Sequence, residues 1–312
     1  MPRGRAIVRA AIALSLLVAS ATAAAQEVPP PKASVRLELD NDLLAPRGSG
    51  PPADYDYTHG TTISFHRPVA TAAHQPRRLL ALVLGHEIYT PRRDSPDPIA
   101  GERPYAALLY GAVQLQRLTR TTLQAVEARA GVTGPPALGE VVQNGVHRLL
   151  HNRLEAGWAS QLPSRLALSV DYDAFRVLGP VAPGRPSRFV AAKAGATLGT
   201  LRRAVRAGAD AYYGFGAACV ASADAPLVAY PGRFHVIMGY QQSQVLHDAF
   251  IEGVGATDGA VRIPWVAEAY VGAGGRIGRV SLEYRYVLRS REYRTQPAGH
   301  AYGSVALSVH ER

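Results

Sequence analysis

A period of two constrains this chain more than any other feature. From Val280 to Leu288 apolar residues occupy every even position and mostly polar ones the odd. That alternation belongs to a strand with two unlike faces, not to a helix. Similar runs recur at 34–42, 57–66, 106–117, 121–131, 164–173, 232–241 and 300–309, and weaker ones at 79–89, 188–199, 202–218 and 262–273. Together they predict about twelve strands.

The start of the chain says where those strands are sent. Arg3, Arg5 and Arg9 precede an apolar run from Ala10 to Val18 and an Ala23-Ala24-Ala25 exit. This is the pattern of a secretory signal peptide over residues 1–25, with cleavage expected before Gln26. Its apolar run is too short to span a bilayer, and no later segment reaches the ~20 continuous apolar residues that a spanning helix needs. A membrane-embedded chain would therefore cross with strands. An even number of strands, with apolar faces that no helix could cover, predicts an all-β fold. The expected architecture is an up-and-down antiparallel transmembrane barrel of about twelve strands over 26–312, placed in the outer membrane.

A secreted β-sandwich would show the same alternation, and the ending Ser308-Val309-His310-Glu311-Arg312 lacks the terminal aromatic residue usual in outer-membrane barrels. Composition favours the barrel. Fifteen tyrosines against six phenylalanines and two tryptophans suit interfacial girdles. Cys219 is the single cysteine, so stability falls to a core or a closed sheet and not to a disulfide. Removing the three arginines of the signal segment takes the formal charge from +10 to about +7. Such a surplus favours anionic partners, lipopolysaccharide or nucleic acid; export argues against nucleic acid.

Between 132 and 163 the alternation stops, and a proline-free stretch from Leu138 to Leu154 reads as a short helix in a long loop. Gln143 and His147, four apart, would share one helical face. With the amino terminus in the periplasm, strand parity brings Asn41-Asp42, Asp56-Tyr57-Thr58-His59-Gly60 and this loop to the same outer end. Alternation turns Val35, Leu37 and Leu39 to lipid and Arg36, Glu38, Asp40 and Asp42 inward. In the second strand it turns Tyr57, Ile63 and Phe65 to lipid and Thr58, Gly60, Thr62 and Ser64 to the lumen.

Asn41-Asp42, Asp56-Tyr57-Thr58 with Gly60, Glu102-Arg103-Pro104-Tyr105-Ala106, and the run from Gly134-Pro135 through Glu140-Val141-Val142-Gln143-Asn144 and His147 to Trp158 and Gln161 resemble the outer-membrane lipid A 3'-O-deacylases. The resemblance spans roughly residues 33–165 and thereafter rests on strand pattern. It implies a twelve-stranded barrel and a calcium-assisted hydrolysis of an acyloxyacyl ester of lipid A, at a site facing the outer leaflet. By motif position His147 matches the general base, and Asn41, Asp42, Thr58 and Gln143 the residues around it. Two places depart from the pattern. An acidic residue is expected about six positions after the histidine, where Arg153 stands, with Glu155 two further on as its substitute. A basic residue expected after the third strand to bind phosphate would be Arg92 or Arg93.

The residue types suit that chemistry. Ester hydrolysis needs a base near neutral pKa and donors or positive charge for the oxyanion. Histidine supplies the first, and the calcium that the resemblance implies, held by carboxylates such as Asp42 and Glu155, would supply the second. No G-x-S-x-G elbow points to a serine nucleophile. Plainer readings also fit: Asn41-Asp42 as a turn, Asp56 as a loop cap, Thr58 as an ordinary strand residue, Gln143 and His147 as a solvated helix face, and Tyr89, Tyr105 and Trp158 as packing or girdle residues. His59 and His86 show no zinc spacing. The competing function is a barrel without catalysis, structural or a small-solute pore, which would keep a hydrated lumen. Paired inward charges among Arg36, Glu38, Glu283 and Arg285 would instead fill it.

Overall fold

Alternation of apolar and polar residues over strands of eight to fifteen residues has one stable outcome in a bilayer, a sheet closed on itself. The computed structural model describes residues 33–46, 55–71, 75–119, 121–178, 187–215, 234–254 and 259–311; the signal segment, Cys219 and the chain's last residue lie outside them. Twelve strands follow in order: β1 (Ser34–Asn41), β2 (Asp56–Val69), β3 (Arg77–Thr90), β4 (Ala106–Leu118), β5 (Thr122–Thr133), β6 (Leu166–Leu178), β7 (Ser187–Gly199), β8 (Arg202–Phe215), β9 (Phe234–Asp248), β10 (Trp265–Ile277), β11 (Val280–Arg289) and β12 (His300–His310). Each pairs antiparallel with its neighbours, and β1 pairs with β12 to close the barrel. All twelve runs seen in the sequence become strands. The weak candidate at 202–218 extends past Phe215 into residues that lie outside the described ones. No helix among the described residues is long and apolar enough to cross a membrane.

The two faces separate as lipid demands. Val35, Leu37, Ile63, Phe65, Leu82, Leu84, Val113, Leu115, Leu168 and Val170 stand exposed on the outer wall. Inside, charges meet in pairs: Arg36 with Glu38 at 2.6 Å, Arg285 with Glu283 at 2.5 Å, Lys193 with Asp210 at 2.7 Å, and Arg206 with Asp173 at 2.7 Å. Ions withdrawn from water persist only when paired, and here they fill the lumen. A cavity of about 80 Å³ remains near the loop end, beside Glu87, Tyr110, Arg129 and Phe250. That is room for a few waters at most, which suits a plugged barrel better than a pore.

Tyrosines prove to be lumen fillers more than girdle residues. Tyr57, Tyr89, Tyr110, Tyr212 and Tyr302 are buried, while Tyr213 and Tyr240 are exposed. The phenol explains the choice, because its ring fills space and its hydroxyl finds a buried acceptor: Tyr57 donates to Asp40 at 2.9 Å. That contact also corrects the expected facing of β2. A bulge between Tyr57 and His59 resets the alternation, so Tyr57 turns inward and Thr58 does not. Gly60 makes room, since a Cβ there would lie 1.9 Å from the Tyr57 hydroxyl oxygen.

At the end away from both termini, three loops are tied together by charge. The short helix α2 (Ala249–Glu252), whose first turn Asp248 caps through Phe250 N, drops Phe250 onto Tyr89 with ring centres 4.6 Å apart. Arg103, only 1% exposed, reaches in from the 91–105 loop. Its Nε donates to the Phe250 carbonyl, and its Nη1 lies 3.4 Å from Glu292 and 3.9 Å from Asp56. Asp56, fully buried, also accepts from Tyr293, Gln296 and Arg92. It adopts a left-handed φ of 68°, tolerated by aspartate better than by most residues. Burial pushes the Glu292 carboxyl up, but the guanidinium groups of Arg103 and Arg289 outweigh it and hold it at about 2.

Removing Arg103 takes away the guanidinium shared by two buried carboxylates and leaves Asp56 to Arg92 and Glu292 to Arg289, so Arg103→Ala should cost about 3 kcal/mol, read by urea unfolding of the refolded barrel. Because Glu292 is depressed below its ordinary value of 4.5, its contribution is present above that pH and is lost as pH falls toward about 2. The parent's stability should fall across that window, and Arg103→Ala should flatten the fall.

Candidate functional site

The loop between β5 and β6 folds down the outside of the wall and not over the mouth. Pro135–Ala137 form a 3-10 turn, and helix α1 (Gly139–Leu150) follows, shorter than the expected Leu138–Leu154. Glu140 in its first turn and Arg148 in its last complement the helix dipole. Leu138 and His151, at its two ends, both have left-handed φ values, 62° and 59°. Such conformations in non-glycine residues are held only by surrounding structure. The helix buries Gly139, Gln143, Asn144 and His147, so Gln143 and His147 share one face as their spacing indicated. Gly139 permits the approach, since a Cβ there would strike Trp158 and Ala107. Ile88, Tyr105, Ala107, Ala137 and Trp158 form the apolar seam between loop and wall.

His147 is held by the turn that ends the helix. Asn152 N donates to the His147 carbonyl at 2.8 Å and His151 N to that of Arg148 at 3.3 Å, a Schellman arrangement around the left-handed His151. The chain thereby reverses and sets the Arg153 carbonyl 2.5 Å from His147 Nδ1. A carbonyl only accepts, so Nδ1 carries the proton, and in the neutral ring Nε2 is the acceptor nitrogen. The position where an acidic side chain was expected thus contributes its backbone oxygen. The Arg153 side chain points away, 84% exposed and 3.3 Å from Asp94.

The neighbouring residues are fixed by their own partners. Trp158 Nε1 donates to Gln143 Oε1 at 3.0 Å, which turns the amide's donor end away from the indole. Asn144 clasps the return strand, donating to the Glu155 carbonyl and accepting from Glu155 N. The Glu155 carboxylate lies 2.6 Å from the Tyr105 hydroxyl. That hydroxyl is also 3.0 Å from Asp94, whose Oδ1 accepts from Ala156 N and Gly157 N. Burial and these two carboxylates push the Tyr105 phenol far up.

The first cluster sits at the same end. Asn41 Oδ1 accepts from Leu43 N at 2.8 Å and caps a 3-10 turn, Asp42–Leu44, as a turn-forming residue does. Asp42 is buried within it. The turn bends onto β12 at Gly303, and Tyr284 of β11 donates to the Leu44 carbonyl. Thr58, buried at the β2 bulge, shares a 2.6 Å hydrogen bond with Thr90. The expectation that it points into the barrel mouth does not hold, because the bulge moves it off the lumen face.

Two histidines join the clusters, and sequence reasoning passed over both as site residues. Asn41 pairs with His59 across the sheet, and Thr61 pairs with His86. His59 Nε2 lies 2.8 Å from Thr61 Oγ1, the His59 and His86 rings are 6.2 Å apart, and His86 Nε2 donates to the Ala137 carbonyl just before α1. A polar strip thus runs along the outer wall from β1 to α1. His59 lay inside a quoted motif, whereas nothing in sequence marked His86. Arg92 and Arg93, expected near phosphate, are engaged by Asp56 and Glu102.

The donor set fits calcium in part. Among the described residues no group of three or more His, Cys, Asp or Glu side chains is arranged to hold a metal. Glu155 accepts from Tyr105 through one carboxylate oxygen. Asp42 remains as a buried carboxylate with hard oxygen donors, of the kind calcium takes together with backbone carbonyls.

Comparison with known proteins places this geometry. No curated protein sequence matches the chain. Among solved structures, LpxR from Salmonella typhimurium superposes with a TM-score of 0.75 at 20% identity, covering 89% of this chain and 100% of that one; at that identity the likeness is one of fold. The β domain of the Bordetella autotransporter BrkA is less similar, with a TM-score of 0.47 at 11% identity over 90% of this chain and 98% of its own. The family described as outer membrane protein LpxR matches residues 11–310. The chain is a member of the LpxR family of outer-membrane proteins.

Proposed function

We propose that this protein is an outer-membrane ester hydrolase that removes the 3'-linked acyloxyacyl chain of lipid A, with its site facing the outer leaflet and His147 as general base. The observation that carries the reading is the bond from His147 Nδ1 to the Arg153 carbonyl. It commits Nε2 to accepting a proton on a helix pressed against the barrel's outer wall. Family membership and the residues shared with the lipid A 3'-O-deacylases supply the substrate.

In this mechanism Nε2 takes a proton from water as the water oxygen bonds to the ester carbonyl carbon. The ester C–O bond then breaks, and the proton passes from the imidazolium to the departing 3'-oxygen of the sugar. Products are the free acyloxyacyl acid and a 3'-hydroxyl. Gln143, oriented by Trp158, supplies amide N–H donors for the oxyanion. Asn41, which caps the turn carrying Asp42, and Thr58, held by Thr90, would fix the backbone around that site. Asp42, with neighbouring backbone carbonyls, would hold a calcium ion, whose charge would polarise the ester carbonyl.

His147→Ala should lower deacylation about 10²–10⁴-fold while leaving the barrel folded, because the residue lies outside the sheet. Mass spectrometry of lipid A from cells carrying parent or variant reads this directly; unchanged lipid A with folded parent and calcium present would refute the hydrolase. Chelation of purified protein should suppress turnover, and added calcium should restore it in the parent but not in Asp42→Asn. Turnover indifferent to chelators would remove calcium from the mechanism and leave His147 in place.

A further inference from the structure

Helix α1 wears its amphipathicity inside out. Its buried face is Gly139, Gln143, Asn144 and His147, whereas Val141 is 64% exposed, Val146 45%, Leu149 77% and Leu150 50%. Leu138 and Leu154 extend the patch on either side. A helix on a water-soluble surface arranges these classes the other way round, and an uncovered apolar patch of this kind marks a contact.

The position of the helix identifies the contact. Gly139 abuts Ala107, which pairs with Ile88 on β3. Two residues further down β4 is Leu109, paired with Val132 on β5, which pairs with Leu166 on β6. Leu166, Leu168 and Val170 are exposed and continue the apolar outer wall downward. Two residues of strand rise about 7 Å, so α1 begins one pleat above the lipid-facing band and stands radially outside it. Arg148, Arg153 and Arg165, all exposed, border the patch and match the phosphates of a lipid surface.

We propose that the outward face of α1 is immersed in the lipid leaflet, so that the site between α1 and the wall is entered sideways from the acyl-chain layer. The immersion stands on the geometry alone; sideways entry of substrate rests on the hydrolase reading. A substrate ester would then reach His147 without leaving the membrane, and α1 acts as the lipid-side wall of its own site.

Nitroxide labels test the immersion without recourse to activity. In full-length protein carrying Cys219→Ser, single labels are placed through Leu149→Cys, through Leu84→Cys on the lipid-facing wall, and through Asp97→Cys in an exposed loop. The protein is refolded into vesicles of phosphatidylethanolamine and phosphatidylglycerol, and collision with oxygen is compared with collision with a water-soluble nickel chelate. The label at 149 should favour oxygen, as at 84. Behaviour like 97 overturns the proposal, and so does protection from both reagents, which would mean that protein covers the helix. Leu149→Glu should then lower deacylation of lipopolysaccharide in bilayers about tenfold, the worth of burying one leucine, and leave detergent-dispersed substrate unaffected. Equal loss on both substrates would refute sideways entry. An immersed label beside an inactive parent would refute the hydrolase and leave the immersion intact.

Discussion

The loop end of this barrel depends on one buried cluster of charge, Arg103 between Asp56 and Glu292. The strands need no such device, since their backbone hydrogen bonds close around the barrel. Loops have no ladder, and the three that meet here come from widely separated parts of the sequence. Withdrawn from water, each ion of the cluster is costly alone and tolerable only with its partners. That condition fixes the 91–105 loop, the turn around Phe250 and the 290–299 loop relative to one another. The 91–105 loop in turn carries Asp94 and Tyr105, which grip the return strand beneath α1.

The site is thus supported at two removes. Arg103 sets the loop, the loop sets residues 155–157, and Asn144 clasps that segment from the helix. His147 inherits a fixed ring from the turn that ends α1. Only Arg103 touches the lumen filling, through Phe250 stacked on Tyr89; the rest of the lumen is occupied by its own ion pairs. The barrel therefore separates two surfaces: paired charges fill the inside, and His147, Gln143 and the His59–His86 strip lie against the outer wall.

Strand number, strand order and the end at which the motifs gather were all legible in the sequence, because lipid enforces alternation on every strand alike. Reading failed where a local event broke the period. The bulge at Thr58 exchanged the faces of Tyr57 and Thr58, and one residue of insertion leaves no mark in composition. Tyrosines were assigned to girdles because their chemistry suits an interface. It suits a lumen rich in carboxylates equally well, and counting residues cannot separate the two. Arg153 looked like a defect in the motif because only its side chain was visible; its carbonyl does the orienting.

The sequence by itself determined a closed antiparallel barrel, the placement of Asn41, Asp42, Thr58, Gln143 and His147 at one end, and the shared helical face of the last two. These follow from periodicity and parity, which are properties of the chain taken in order. Tertiary structure alone decided that α1 lies against the outer wall, that His147 is oriented by a backbone oxygen, that Glu155 serves Tyr105, and that His59 and His86 link the clusters. Each of those depends on which atoms meet across long separations, and a side chain's partner is set by the packing of neighbours that the linear order does not name.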